Sequence, residues 1–172
     1  MKKIITVIMT MIACFTGCAT TGPRPPIRLP FAVHQTGATV SSEVRIVKHG
    51  AYRYPFFLIF PFKGNEERER IRKLLGSSRH TNDGKYVEPG IPINLKITIS
   101  IIEPSGERIL SEQEVSAVGI QTTSVSGFMR EIEQHKFRMP PGLYRVTVEN
   151  LKGIPEFADI KVVFVIANLR KV

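Results

Sequence analysis

An alternating stretch in the second half of the chain sets the expected fold class. From Ile93 to Ile101 every second residue is a large aliphatic, and Asn, Lys, Thr and Ser lie between them. Successive side chains of a strand point to opposite faces, so this pattern predicts a β-strand with one buried face. Pro104-Ser105-Gly106-Glu107 is a typical turn, and Arg108–Val118 is predicted as the partner strand. Together these segments indicate an antiparallel sheet.

Further strands are predicted on both sides of this pair. Thr39–Lys48 and Ala51–Phe60 are expected to form a hairpin about His49-Gly50. Aromatic and aliphatic residues fill both faces of Ala51–Phe60, which indicates a strand covered on both sides, while Pro55 indicates an edge position or a bulge. Leu143–Val148 and Ile160–Leu169 are predicted strands, and Phe128–Met139 fits either a strand or a helical turn.

One segment, at about residues 61–92, lacks the alternating pattern that is typical of β-strands. Asn65 is a suitable N-cap for a helix over residues 66–75, in which Ile71, Leu74 and Leu75 form an apolar stripe. A polar loop with an Asn-Asp-Gly turn follows from Ser77 to Gly90. We therefore expect a short helix and a long loop inserted between strands.

A tyrosine near the start of a late strand adds a fold resemblance. Pro141-Gly142-Leu143-Tyr144-Arg145-Val146 resembles the segment of immunoglobulin-like domains in which a Pro-Gly turn feeds a strand and its Tyr reaches back to the backbone. About seven strands with one helical insertion favour a sandwich. The predicted fold class is mainly β, an immunoglobulin-like antiparallel β-sandwich with one short inserted helix.

The amino terminus has the layout of a bacterial lipoprotein signal peptide. Lys2 and Lys3 precede an apolar run from Ile4 to Phe15, which is too short for a transmembrane helix of about 20 residues. Phe15-Thr16-Gly17-Cys18 looks like a lipoprotein cleavage box, which implies cleavage before Cys18 and acylation of that cysteine. Cys14 is a weaker alternative, and a plain secretory cleavage site is another.

This interpretation divides the chain into three parts and assigns a location. Residues 1–17 are the expected signal peptide, residues 18–30 a Pro-rich tether, and residues 31–172 the sandwich domain. Removal of Cys14 leaves Cys18 as the remaining cysteine, so a disulfide within the domain is excluded. Ala19 after the cysteine implies sorting to the outer membrane, with the domain expected in the periplasm.

The sequence offers no constellation typical of an enzyme or a metal site. The histidines His34, His49, His80 and His135 are widely spaced, and the aspartates are Asp83 and Asp159. Neither a nucleophile elbow nor a phosphate-binding loop is present. We expect no catalytic residues, no metal and no cofactor.

Basic residues cluster in the inserted segment of a chain whose formal net charge is +9 at pH 7. The candidate partner-binding residues are Arg68, Arg70, Arg72, Lys73, Arg79 and Lys85. A helix face neutralised by its own glutamates is one interpretation, and a docking surface for an acidic partner or anionic head groups is the other. Export argues against nucleic acid as the partner.

Several short motifs recur in the order found in one protein family. They are Arg28-Leu29-Pro30-Phe31, Arg70-Ile71-Arg72-Lys73-Leu74-Leu75-Gly76, Gly84-Lys85-Tyr86 with Pro89-Gly90, Pro141-Gly142-Leu143-Tyr144-Arg145-Val146 and Ile154-Pro155-Glu156-Phe157. The chain thus resembles the proteobacterial lipoprotein family of the domain of unknown function 5625. The resemblance implies an envelope lipoprotein with an immunoglobulin-like sandwich and transfers no catalytic residues. Some relatives resemble immunity lipoproteins that accompany type VI secreted phospholipase toxins.

Two functions remain compatible with the sequence. The first is a lipid-anchored binding protein that captures and neutralises a secreted toxin in the periplasm. The second is a structural or assembly lipoprotein of the envelope, or a surface antigen, without a toxin partner. An enzyme or small-ligand binder would need a pocket with converging polar groups, and the sequence nominates none.

Overall fold

The computed structural model describes residues 22–47, 52–132, 139–167 and 170–171. Within these ranges the elements are β1 (Ile27–Pro30), β2 (Thr39–Ile46), β3 (Tyr52–Arg53), β4 (Phe56–Pro61), α1 (Gly64–Leu75), β5 (Ile93–Glu103), β6 (Gly106–Ala117), β7 (Thr122–Thr123), β8 (Gly127–Ile132), β9 (Gly142–Asn150), a 3-10 turn (Pro155–Phe157), β10 (Val163–Ile166) and β11 (Arg170–Lys171). The predicted signal peptide and Cys18 lie outside the described residues.

Two antiparallel sheets form the sandwich, which confirms the predicted mainly β fold with one inserted helix. The first sheet has the strand order β1-β10-β4-β8-β7, and the second has the order β2-β9-β5-β6. β3 and β11 form a separate two-stranded sheet. The alternating segment is β5, with Ile93, Leu95, Ile97 and Ile99 all buried, and it pairs with β6 on one side and β9 on the other.

The core lies between the two sheets and is rich in aromatic residues. Phe56 and Phe164 meet edge to face with ring centroids 5.6 Å apart. Phe60 and Phe157 lie at the same centroid separation. Such pairs add to the hydrophobic effect of burial because the ring edge is positive and the ring face negative. The 3-10 turn therefore closes one end of the core with its Phe157 side chain.

The predicted hairpin between Thr39–Lys48 and Ala51–Phe60 is wrong. β2 pairs with β9 in the four-stranded sheet, and β4 pairs with β10 and β8 in the other. The chain thus changes sheets between β2 and β4. Pro55 precedes β4, which is a central strand rather than an edge strand.

The predicted Pro-rich tether reaches too far into the domain. Ile27–Pro30 form β1, which pairs with β10. Upstream of β1, the Arg45 N–H donates to the Pro23 carbonyl over 2.8 Å. Edge strands tolerate proline because one side of the strand needs no hydrogen bond. The folded domain therefore begins before residue 31, and Ile27–Pro30 belong to the domain rather than to a tether.

Tyr144 reaches back to the backbone as predicted. Its side chain is fully buried, and its hydroxyl donates to the Pro140 carbonyl over 2.8 Å. Burial raises the pKa of the Tyr144 hydroxyl, since the charged form loses its hydration. The bond holds the turn before β9 against the start of that strand.

Candidate binding site: an arginine-lined groove

The spacing of the apolar residues in helix α1 determines which of its faces is buried and which are exposed. Ile71 and Leu75 are fully buried in the core, which fixes the rotation of the helix. Asn65, Arg68 and Arg72 then share another face, since residues three and four apart lie above one another. The helix begins at Gly64 with Lys63 as the N-cap, so the predicted cap at Asn65 is wrong.

The loop after α1 folds back over the carboxyl end of the helix. The Ser77 N–H donates to the Glu88 carbonyl over 2.7 Å, and the Ile91 N–H donates to the Leu74 carbonyl over 2.8 Å. Gly76 and Gly90 meet at this crossing, and a Cβ on either one would overlap the backbone of the other segment. This close approach is possible only with glycine.

A buried arginine holds this crossing in place. Arg130 on β8 has no exposed surface. Its Nε donates to the Gly119 carbonyl over 2.7 Å, and its Nη1 donates to the carbonyls of Ile91 and Ala117 over 2.9 and 3.0 Å. Its Nη2 donates to the Leu75 carbonyl over 2.9 Å. One side chain thus joins the end of α1, the start of β5 and the end of β6.

The charge of Arg130 is balanced by dipoles rather than by an ion pair within the described residues. Its guanidinium lies 5.8 Å from the centroid of the Phe60 ring, over the ring face. Burial lowers the pKa of Arg130 to about 10, and the nearby Tyr86 opposes that shift. The group therefore remains protonated at neutral pH and keeps donating to the four carbonyls.

Tyr86 secures the outer part of the loop. Gly119, with φ of 67°, packs against the Tyr86 ring so closely that a Cβ would overlap it. On its other side the Tyr86 ring lies 4.2 Å from the His80 ring, centroid to centroid. The loop tip is thus tied to the segment that follows β6.

Two adjoining clefts separate this assembly from the β7–β8 hairpin. Their volumes are about 400 and 470 Å³, and Arg68 and Thr123 line both. Because the two clefts share these lining residues, we treat them as one groove and call it the arginine groove. Its lining residues are Phe62, Gly64, Asn65, Arg68, Arg72, Gly76, Ser77, Ser78, Arg79, Val87, Glu88, Ile120, Thr123, Ser124, Val125 and Phe128.

The structure divides the six predicted partner-binding residues. Three of them line the groove: Arg68 and Arg72 on α1, and Arg79, which follows the end of the helix at Leu75. Lys73 is exposed on the helix but does not line the groove. The fold therefore makes a site from half of the predicted cluster.

The other two residues, Arg70 and Lys85, form ion pairs outside the groove. Arg70 contacts Asp159 with an Nη2–Oδ2 distance of 2.7 Å, and its hydrogen bond lowers the pKa of the Asp159 carboxyl. Lys85 lies 3.0 Å from Asp83 in the turn at the loop tip. Asp83 also accepts a hydrogen bond from the Thr81 hydroxyl, and this bond is the main reason for its lowered pKa.

The groove has an excess of positive charge. Glu88 is the acidic residue in its lining, against three arginines. Arg72 contacts Glu69 at 3.0 Å, whereas Arg68 lies over the Phe62 ring at 6.0 Å. Arg68 and Arg79 form no ion pair with any residue of the described segments. Guanidinium groups with free donors bind carboxylates and phosphates well because their fork matches two oxygens.

The described residues contain no group of three His, Cys, Asp or Glu side chains arranged to hold a metal ion. They also contain no helix of the length and apolarity needed to cross a membrane. The chemistry available in the groove is anion recognition by guanidinium groups beside apolar surface from Ile120 and Phe128.

Sequence reasoning missed Arg130 and the apolar half of the groove. Phe128, Arg130 and Ile132 alternate on the buried face of β8, so an arginine within an apolar face was the available signal. The ambiguity of Phe128–Met139 concealed it, because a helical turn gives no such alternation. Val125 at the hairpin tip carried no local signal, since its place beside Phe62 depends on the sheet pairing.

The sequence also matches a family described as "Domain of unknown function (DUF5625)" over residues 28–168. The chain belongs to this family. The match spans both sheets and the inserted segment, and it confirms the resemblance inferred from the ordered motifs. No curated protein matches the sequence.

A solved structure has the same fold as this DUF5625 protein. The crystal structure of a protein from Sulfurospirillum deleyianum superposes with a TM-score of 0.62 at 21% sequence identity. The alignment covers 83% of this chain and 97% of that one. At this identity the likeness concerns the fold alone.

Proposed function

We propose that this protein is a lipid-anchored periplasmic binding protein that captures an acidic protein partner in the arginine groove. The observation that carries the proposal is that Arg68 and Arg72 on α1 and Arg79 in the loop directly after it line one groove.

The topology supports a partner that approaches from the side away from the membrane. β9 spans the sandwich from Gly142 to Asn150, a rise of about 26 Å at 3.3 Å per residue. Its first residues lie beside Arg45, whose N–H binds Pro23 near the start of the domain. This end is called the tether end.

The arginine groove lies at the opposite end. Asn150 at the end of β9 pairs with Leu95, and Ile93, two residues earlier on β5, pairs with Ala117. The Ala117 carbonyl accepts from Arg130, which also binds the carboxyl end of α1. Helix α1 and its groove are therefore remote from the tether end.

A lipid on Cys18 would hold the tether end close to the bilayer. Cys18 precedes Gly22 by four residues, so the acylated residue would lie within about 14 Å of the domain. The groove would then face the periplasm, which favours a protein over lipid head groups as its occupant.

Toxin neutralisation is the form of binding that we propose first. Export, anchoring and a groove that can bind anions suit an inhibitor that intercepts a secreted enzyme, such as a type VI phospholipase, before it reaches the membrane. Anchoring raises the local concentration of the inhibitor where a phospholipase acts. The role in immunity extends the resemblance noted for the family.

A structural or assembly role in the envelope is the second candidate. β6 lies at the edge of its sheet, and Ile109 on this strand is 60% exposed. Edge strands can pair with a strand of another chain. Resident envelope proteins bound along β6 would support this role.

Partner capture distinguishes the two. The mature domain with Cys18→Ser would serve as bait for secreted and envelope fractions of its own organism. We expect one secreted enzyme to bind in a one-to-one complex and to lose activity on mixing. Recovery of resident envelope proteins alone would contradict neutralisation and favour the second candidate.

A further inference from the structure

The arginine groove differs in character along its length. Next to the start of α1 its walls are Phe62 and Val125, and Val125 is 100% exposed at the hairpin tip. Next to the end of α1 its walls carry Arg72 and Arg79. Arg68 lines both parts. Glu88 and the apolar Val87, Ile120 and Phe128 also line this second part. The groove therefore has apolar residues along its whole length and becomes more cationic towards the end of the helix.

The length of the helix sets the length of a matching ligand. Twelve residues of α1 extend for about 18 Å at 1.5 Å per residue. An extended peptide rises by about 3.3 Å per residue. An extended segment of about five residues therefore matches the length of α1, along which the groove runs from Gly64 to Gly76.

We propose that the groove recognises an extended peptide segment of about five residues, with an apolar side chain at one end and a carboxylate at the other. The apolar side chain contacts Phe62 and Val125, and the carboxylate accepts from Arg72 and Arg79. This inference rests on the proposed function and specifies which part of the partner is bound.

Charge and surface both favour this occupant. Arg79 forms no ion pair within the described segments, so a carboxylate does not have to displace an internal partner from it. Arg72 already contacts Glu69 at 3.0 Å, and Glu88 lines the same part of the groove, so Arg79 is the main contact expected for the carboxylate. An apolar side chain that contacts both Phe62 and Val125 covers part of Val125, which is otherwise fully exposed. Removal of this apolar surface from water favours binding in proportion to the area covered. A purely anionic ligand would leave the apolar part of the groove unused.

Phage display with random octapeptides tests the proposal without knowledge of the partner. The folded Cys18→Ser domain is the target, and the Arg72→Glu, Arg79→Glu double variant is the counter-target. We expect selected peptides to carry an apolar residue and an Asp or Glu about four positions apart, in one fixed order. Selection of sequences without acidic residues, or equal selection by the counter-target, would overturn the proposal.

Affinities of one selected peptide, measured by fluorescence anisotropy, then locate the two contacts. Arg79→Glu should weaken binding about tenfold or more, because a charge-assisted hydrogen bond is replaced by repulsion. Val125→Ser should weaken it about threefold. Lys73→Glu makes the same charge change on α1 outside the groove and should alter the affinity less than twofold. Equal effects of Arg79→Glu and Lys73→Glu would overturn the proposal.

Peptide recognition and partner capture can fail separately. If a secreted partner is captured but no peptide is selected, the proposed recognition of an extended peptide segment is wrong, and the proposed capture of a partner is still supported. If peptides of the expected pattern bind but partner capture survives Arg79→Glu, the groove recognises such segments and the proposed function of the groove is wrong.

Discussion

At the scale of single residues, two fully buried polar side chains hold the loops at the groove end. Arg130 donates to four backbone carbonyls, and the Asn150 Nδ2 donates to the carbonyls of Val33 and Gln35, each over 2.8 Å. Buried polar groups are costly unless paired. The Val33 carbonyl also accepts from the Ile154 N–H, and the Asn150 Oδ1 has no hydrogen-bond partner within the described residues. The donor groups of Arg130 and Asn150 therefore stabilise these loops through the carbonyls that they bind.

Replacement of Arg130 should destabilise the fold strongly. Arg130→Met leaves four carbonyls without their donor, and Arg130→Lys cannot reproduce the fork of a guanidinium. We expect a loss of about 3 kcal/mol in the free energy of unfolding for Arg130→Met and slightly less for Arg130→Lys. Urea unfolding measures both.

Two features of the result identify the cause. The exposed Arg108→Met should cost less than about 0.5 kcal/mol. The loss at Arg130 should not change between pH 5 and 8, because the pKa of Arg130 is about 10. A loss that follows pH in this range would contradict the role of a permanently charged donor.

Asn150→Asp should be destabilising in a pH-dependent manner. A carboxylate would face the two carbonyls that now accept hydrogen bonds, so its pKa in the folded state should lie above the value of about 3.9 expected in the unfolded state. The variant should be relatively stable below pH 3.9 and lose about 3 kcal/mol by pH 7. Urea unfolding at a series of pH values tests this, with Asn82→Asp in the exposed turn as the control. Equal stability of the two variants at pH 7 would contradict the role of Asn150 as a double donor.

At the scale of elements, patterns within one segment were predictable and partners between segments were not. The alternation of Ile93–Ile101 predicts β5, and the turn at Pro104–Gly106 predicts its pairing with β6. The short connection between β2 and β4 favoured a hairpin, but β2 finds a better partner in β9, far along the chain. Such pairings depend on which faces complete a common core, and no local pattern records this.

The groove likewise combines residues whose grouping follows from local sequence with residues whose position depends on the tertiary fold. The clustering of Arg68 and Arg72 was visible in sequence because helical spacing places them on one face. The split of Arg70 from this face follows from the burial of Ile71 and from Asp159, which lies 89 residues away. Arg79 joins the groove only because the loop crosses the helix at Gly76 and Gly90.

Gly119→Ala should loosen the loop without unfolding the sandwich. A methyl group here overlaps the Tyr86 ring, and the φ of 67° disfavours a side chain. We expect amide hydrogen exchange in residues 77–90 to rise at least about tenfold, while protection in β5 and β9 is unchanged. Gly84→Ala, also at positive φ but with open space around its Cβ position, is the matched control. Equal exchange in the two variants would show that the Tyr86 contact does not order the loop.

At the scale of the whole molecule, the sandwich and the family were predictable from the sequence. The placement of the groove at the end opposite the tether end was not. Counting strands and turns gives a two-layer β fold. The position of the groove opposite the tether end needs the complete set of strand pairings, because it depends on the direction of β9 and on the residues beside each of its ends. The function proposed for the groove depends on this position relative to the tether end.

Fluorescent labels on the lipidated protein should report the orientation. Acylation would block Cys18, so a cysteine at Ser105, in the turn between β5 and β6 near the tether end, or at Val125 takes a single label. With vesicles containing nitroxide head groups, we expect strong quenching of the label at Ser105→Cys and little at Val125→Cys. Both positions are exposed, so each variant is the control for the other. The opposite order would show that the groove faces the membrane.

Partner capture with charge-reversed baits tests the central claim most directly. Three baits, each with Cys18→Ser, would be compared on the same secreted fraction: the unaltered domain, Arg72→Glu with Arg79→Glu, and Lys73→Glu. We expect the first and third to retain one secreted protein in equal yield and the double variant to lose at least about nine-tenths of it. Undiminished capture by a folded double variant would contradict the arginine groove as the binding site.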